Sequence, residues 1–164
     1  MRRIASILAL TAVLVALSPL AATPASAAIV RRPVIRCSGC WPTAFAFTPG
    51  GGRMFYVERF SGEIHSYSFS ADTNNVWGRL TNVGTHGEQG VLGIAVDPRW
   101  PGVRRLYAYY TRGTPRENRI VKLRWDDDGT PRQTTLLRIR ANSNHNGGVI
   151  HFGPDGFLYA VTGD

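Results

Sequence analysis

One phrase occurs three times along the chain and restricts the fold more than any other feature. It is an apolar strand, a turn containing proline, and an aromatic-rich strand. It reads Ala44-Phe45-Ala46-Phe47-Thr48-Pro49 then Met54-Phe55-Tyr56-Val57. It returns as Gly93-Ile94-Ala95-Val96-Asp97-Pro98 then Leu106-Tyr107-Ala108-Tyr109, and again as Val149-Ile150-His151-Phe152-Gly153-Pro154 then Phe157-Leu158-Tyr159-Ala160. The prolines stand 49 and 56 residues apart. Self-similarity at such a period marks a repeat architecture, and four-stranded propeller blades run about 40–50 residues. No long amphipathic helical pattern intervenes. The expected fold class is all-β, a β-propeller with about two and a half blades present.

Alternation and turn signals fill in the blades. In the first, strands are predicted at 44–47, 54–58, 63–69 and 76–81. In the second they fall at 91–96, 106–111, 119–125 and 133–140. The third has only its first two strands. A propeller closes by packing its last blade on its first, and unclosed blades leave apolar faces in water. Two and a half blades do not close. The expectation is therefore a fragment of a chain more than twice as long, followed in rank by a truncated gene product and by half of an assembly in trans.

The first residues carry Arg2 and Arg3, an apolar run over 4–17, and the small-residue stretch Ala25-Ser26-Ala27. This is the pattern of a secretory signal peptide, and the run is short of the roughly 20 residues a spanning helix needs. Cleavage after Ala27 leaves residues 28–164 as the propeller part, outside the cytoplasm and without stable membrane insertion; the alternative is an uncleaved anchor. The formal charge of +8 falls to +6 without Arg2 and Arg3. Its arginines are scattered, with neither a basic stripe nor aromatic interleaving, so nucleic acid is not an expected partner.

Both cysteines lie in Cys37-Ser38-Gly39-Cys40. In an exported chain such a pair favours a local disulfide acting as a staple, although sequence alone leaves the bond open. Trp41 stands where haem attachment needs His, a zinc site needs a second ligand pair, and a thioredoxin-like site needs a βαβ context. No residue is assigned as a metal ligand.

Antiparallel geometry gives the candidate chemistry. With Gly153-Pro154-Asp155-Gly156 as the turn, Phe152 is expected opposite Phe157. Continuing that register sets His145 opposite Asp164, where facing Cβ atoms stand about 5 Å apart. A carboxylate beside an imidazole fixes its tautomer and stabilises the imidazolium, as a general base requires. The loops that open blades, Thr85-His86-Gly87-Glu88-Gln89-Gly90 and Asn142-Ser143-Asn144-His145-Asn146-Gly147-Gly148, are rich in glycine and polar groups, as suits a ligand-facing surface. Ordinary turns with a solvated histidine are the competing reading. His65 and His151 read as packed or hydrogen-bonded strand residues, and His86 as a supporting group. Asp126-Asp127-Asp128-Gly129 lacks the ligand spacing of a calcium loop and reads as a hairpin turn; Gly50-Gly51-Gly52 opens no helix and reads as a strand connection.

At these residues the sequence resembles the soluble quinoprotein glucose/sorbosone dehydrogenase family. The resemblance rests on Gly87-Glu88-Gln89-Gly90-Val91-Leu92-Gly93-Ile94-Ala95, on His145-Asn146-Gly147-Gly148, and on Phe152-Gly153-Pro154-Asp155-Gly156-Phe157-Leu158-Tyr159 with Gly163-Asp164. It implies a six-bladed propeller that oxidises aldose sugars with pyrroloquinoline quinone (PQQ) and passes electrons to an external acceptor. It implies that His145 takes the proton of the anomeric hydroxyl and that Asp164 bonds this histidine. A PQQ contact falls at Glu88 or Gln89; the family often has glutamine where the flanking glycines align Glu88. Calcium and the cations that hold PQQ are implied beyond residue 164, so the chain alone is expected to be inactive. Two other classes remain, a non-catalytic propeller binding carbohydrate or protein, and a metal-dependent hydrolase or lactonase for which only Glu88 and Asp164 are available.

Overall fold

The computed structural model describes residues 30–125 and 131–164. The expected signal segment 1–27 and the Asp126-Asp127-Asp128-Gly129 turn lie outside the described residues. The chain divides into two compact units, residues 1–34 and 35–164. Of the first, residues 30–34 are described; they are exposed and carry no regular secondary structure.

Ten strands and no helix make up the second unit among the described residues. Strands β1 (Pro42–Phe47), β2 (Arg53–Glu58), β3 (Glu63–Ser68) and β4 (Thr73–Arg79) form one antiparallel sheet in chain order. Strands β5 (Val91–Val96), β6 (Arg105–Arg112), β7 (Glu117–Trp125) and β8 (Pro131–Arg140) form a second sheet of the same order. Strands β9 (Ile150–Phe152) and β10 (Leu158–Ala160) pair as a hairpin. These are two complete four-stranded blades and the first half of a third. The blade-opening strands repeat a detail: the ladder slips between Pro42 and Ala44 in β1 and between Val91 and Gly93 in β5. Such a bulge bends a strand where it enters the sheet.

Period-two alternation explains why β5 and β6 read as almost continuous apolar runs. Successive side chains point to opposite faces, and both faces of the second sheet are covered. Ile94, Val96, Leu106, Ala108, Tyr110, Val121 and Leu123 join Phe55, Val57, Ile64 and Leu80 in the core shared with the first sheet. Their neighbours Ala95, Tyr109 and Ile120 turn the other way and meet Ile150, Phe152 and Leu158 of the hairpin. Burying each large side chain fully contributes about 1.5–3 kcal/mol, so the two interfaces dominate the stability of the unit. Phe55 packs edge-on against Trp77 and Trp100, with centroids 5.0 and 5.3 Å away. The outer strand β8, by contrast, exposes Leu136 and Leu137.

Blades approach closely where glycine permits. A Cβ on Gly93 would stand 1.9 Å from the Gly148 carbonyl oxygen, so the backbone of β5 and the segment leading into β9 can touch only without a side chain there. Thr43 of β1 donates its hydroxyl to the Val91 carbonyl of β5. The three inner strands line a cleft of about 500 Å³ walled by residues 43–47, 92–96 and 149–152.

The expected strand positions hold to within a few residues, with one extension and one register correction. β4 begins at Thr73 rather than 76, because polar Thr73, Asn74 and Asn75 are held by the ladder to β3 and Asn74 donates to the Tyr56 hydroxyl. In the hairpin Phe152 pairs with Leu158, not Phe157. The Gly153 amide donates to the Phe157 carbonyl, so Phe157 belongs to the turn and every partner stands one residue further on.

Candidate functional site

The corrected register does not itself set His145 opposite Asp164, yet the two meet. His145 Nδ1 lies 3.2 Å from Asp164 Oδ1, and both side chains are largely solvent-exposed. Regular pairing ends at Ile150 and Ala160, and beyond it the loop backbone makes the approach. His145 adopts φ of 57°, followed by Gly147 at 71° and Gly148 at 122°. A left-handed conformation costs a non-glycine residue about 1–3 kcal/mol and persists only where its surroundings impose it. Here the cause is visible. A Cβ on Gly163 would fall 1.4 Å from the His145 carbonyl oxygen, so the two segments are in direct backbone contact.

The preceding blade fixes the other side of the histidine. The Glu88 carboxylate accepts the His145 backbone N–H at 2.7 Å, and the Glu88 amide donates to the Ser143 carbonyl at 2.8 Å. The Gly87-Glu88-Gln89-Gly90 turn is in turn held by Arg59 at the end of β2, whose guanidinium donates to the Gly87 and Gln89 carbonyls. Gln89 is buried, and its side-chain amide donates to the Asn142 carbonyl at 3.0 Å. Both residues for which a cofactor contact was implied thus brace the loop bearing His145. Glu88 is exposed beside it and Gln89 lies beneath. His86 is exposed, and its carbonyl accepts the Gln89 amide.

A buried polar hub carries the loop from below. Asn146 is 4% exposed; its Oδ1 accepts the Asn142 amide at 3.1 Å and the Asn118 side-chain amide at 3.0 Å, and its Nδ2 donates to the Asn142 carbonyl. The Tyr109 hydroxyl donates to the Asn146 carbonyl at 2.8 Å, and burial raises this phenol above its ordinary value, keeping it a protonated donor. Sequence reading placed Asn146 in the ligand-facing loop and Tyr109 in the repeat but gave neither, nor Asn118, a role in holding the loop. Asn118 stands just before the predicted strand at 119–125, and the structure draws it into β7, where a buried asparagine amide must be engaged.

Other histidines stand apart. His65 of β3 stacks on Tyr56 and its Nε2 lies 3.1 Å from Glu63, whereas His151 of β9 is exposed. Cys37 and Cys40 are joined as a disulfide.

The arrangement can accept a proton. A carboxylate at Nδ1 favours the tautomer with its proton there, leaving the Nε2 lone pair available. The pair borders a cleft of about 180 Å³ whose lining includes Tyr109, Asn118, Arg140 and Asn142.

Known proteins share this arrangement of sheets. The Glucose / Sorbosone dehydrogenase family model matches residues 40–164. The PQQ-bound form of an aldose sugar dehydrogenase from Streptomyces coelicolor is 33% identical with a TM-score of 0.72, over 82% of this chain and 41% of that one. An oxidoreductase from Thermus thermophilus, provisionally described as a glucose dehydrogenase, is 35% identical with a TM-score of 0.62, over 74% and 36%. The soluble aldose sugar dehydrogenase from Escherichia coli, in its apo form, is 24% identical with a TM-score of 0.58 and shares the fold. The chain spans about two fifths of the length of these proteins, and its blades are part of a propeller. With the match running from Cys40 through the hairpin, the chain belongs to the glucose/sorbosone dehydrogenase family.

Proposed function

We propose that this chain contributes the proton-accepting part of a PQQ-dependent aldose dehydrogenase acting outside the cytoplasm. The observation that carries the reading is the 3.2 Å approach of Asp164 to His145 Nδ1, in a loop held from two blades. The substrate class follows from the family, and the electron acceptor is an external one.

His145 Nε2 takes the proton of the sugar's anomeric hydroxyl as hydride leaves the anomeric carbon, and the lactone carbonyl forms from that C–O bond. Asp164 holds the ring in the required tautomer and stabilises the imidazolium. Bound PQQ supplies the two-electron oxidant, and the protein's part is placement and electrostatics. The residues present fit the proton-transfer end of such a site. A cleft of about 180 Å³ with Arg140 at its wall matches a hydroxyl-bearing ring edge, whereas whole cofactor sites usually measure about 300–1,000 Å³. The cofactor's carboxylates and a calcium ion would therefore be held by other parts of the full protein. Glu88, exposed beside the base, holds the His145 amide, and Gln89 supports the turn from within.

The test supplies PQQ, calcium and glucose to the full-length protein containing this chain and follows reduction of an artificial electron acceptor. His145→Ala is expected to lower kcat by about 10²–10⁴, the ordinary contribution of a positioned base. Asp164→Asn should lower it less. Inactivity across several aldoses, or full rate in His145→Ala, refutes the reading.

A further inference from the structure

The Cys37–Cys40 disulfide is not alone. Its Cα atoms stand 5.8 Å apart across the Ser38-Gly39 turn, with Cys37 exposed and Cys40 half-buried. The β1–β2 ladder sets Glu58 opposite Pro42, two residues past Cys40, and so brings a carboxylate beneath the disulfide. Glu58 is 7% exposed. Its Oε2 accepts the Trp41 amide at 2.7 Å, but Oε1 is buried with no hydrogen-bond partner among the described residues. Buried carboxylate oxygens are ordinarily satisfied, and one left without a partner is available as a donor atom. The two sulfurs and a Glu58 oxygen all lie within 4.8 Å of one another.

We propose that Cys37, Cys40 and Glu58 form a thiol-gated site for a thiophilic divalent cation, closed while the disulfide stands. A disulfide offers no thiolate. A dithiol or phosphine reductant supplies two electrons, the S–S bond breaks, and each sulfur takes one proton as the reductant is oxidised. The cation then displaces both protons and binds two thiolates with the Glu58 carboxylate, and water completes a tetrahedral set. Thiolate donors select zinc- or cadmium-like ions over calcium and magnesium, which take oxygen. Tetrahedral zinc–thiolate geometry needs the sulfurs about 3.7 Å apart. The turn between the cysteines is open at Gly39, which meets nothing within 4 Å of the place a Cβ would occupy. A cleft of about 350 Å³ bordered by Ile35, Cys37 and Tyr56 reaches the Cys37 side of the pair. This site lies outside the His145–Asp164 pair, so its test is independent of sugar oxidation.

The 164-residue chain, reduced and freed of reductant, is titrated with cadmium while the cadmium–thiolate charge-transfer absorption is followed. One ion per reduced chain is expected, none per disulfide-bonded chain, with zinc competing and calcium not. Glu58→Gln should keep the absorption and weaken binding about tenfold or more. Failure of the reduced chain to take up cadmium, equal uptake by the oxidised chain, or unchanged affinity in Glu58→Gln overturns the proposal. Should Glu58→Gln unfold the sheet, X-ray absorption at the zinc edge of the unsubstituted reduced chain decides. Two sulfurs with an oxygen shell at about 2.0–2.2 Å supports it, and a shell without that set of donors overturns it.

Discussion

Replacing Asn146 by alanine tests whether the loop bearing His145 rests on the buried amide hub. The side chain is 4% exposed and makes three hydrogen bonds, accepting from Asn142 N–H and Asn118 Nδ2 and donating to the Asn142 carbonyl. Alanine leaves the Asn142 carbonyl its bond from Gln89. It strips the Asn142 amide of its acceptor, and it leaves the side-chain Nδ2 of Asn118, a residue 2% exposed, with only a long 3.5 Å bond to the Arg140 carbonyl, while Asn118 Oδ1 still accepts the Thr111 hydroxyl. Each buried donor without a partner costs about 1–3 kcal/mol. One of these two is deeply buried and the other lies near solvent, so the loss should be about 2–4 kcal/mol. For a unit of this size that lowers Tm by at least about 5 °C. Asn142→Ala is the matched control. It removes only an exposed side-chain bond to the Asp164 carbonyl and keeps the backbone groups the hub uses, so its cost should stay within about 0.5 kcal/mol. Thermal unfolding by circular dichroism gives both values. Equal stability in Asn146→Ala and the unsubstituted chain, or equal losses in the two variants, refutes the argument.

Gly163→Ala puts a methyl group onto the His145 carbonyl oxygen, so the backbone segments must part. The expected result is shifted His145 ring resonances by NMR with little change in Tm, and lowered activity in the full-length protein. Asp97 is 1% exposed and accepts three hydrogen bonds from Arg99, whose guanidinium holds its carboxyl below the usual aspartate value. A carboxyl depressed in the folded state contributes stability above its unfolded value, near pH 4, and that contribution is lost as pH falls through the lower folded value. Asp97→Asn should therefore lower Tm at neutral pH by an amount worth about 1–2 kcal/mol, with the gap to the unsubstituted chain closing below about pH 4. A gap independent of pH contradicts that assignment.

The blades were legible because the Pro49, Pro98 and Pro154 turns recur with the same apolar strand before them, and because β5 and β6 carry apolar side chains on both faces. The start of β4 was not, since Asn74 and Asn75 enter the sheet through backbone pairing and a tyrosine contact that composition does not announce. The meeting of His145 and Asp164 was anticipated from a hairpin register that proved one residue out. The Gly153–Phe157 hydrogen bond lengthens the turn, and the left-handed backbone at His145, Gly147 and Gly148 restores the approach. Long-range partners stayed hidden. Nothing local tells that Glu88 reaches the His145 amide, 57 residues on, or that Glu58 lies beneath Cys37 and Cys40.

The consecutive order of strands within each sheet also sets a timetable. Every ladder joins neighbours in sequence, so each blade closes through short loops, and such local contacts form quickly as a chain leaves the ribosome. The bonds between blades reach further along the chain, among them Thr43 to Val91, Gln89 to Asn142 and Glu88 to His145. Glu88, the histidine's anchor, thus precedes it by 57 residues and depends on the whole second blade between them to bring the two together. A slow step or a defect in the second blade would be felt first as a misplaced His145, while the earlier sheet stayed intact.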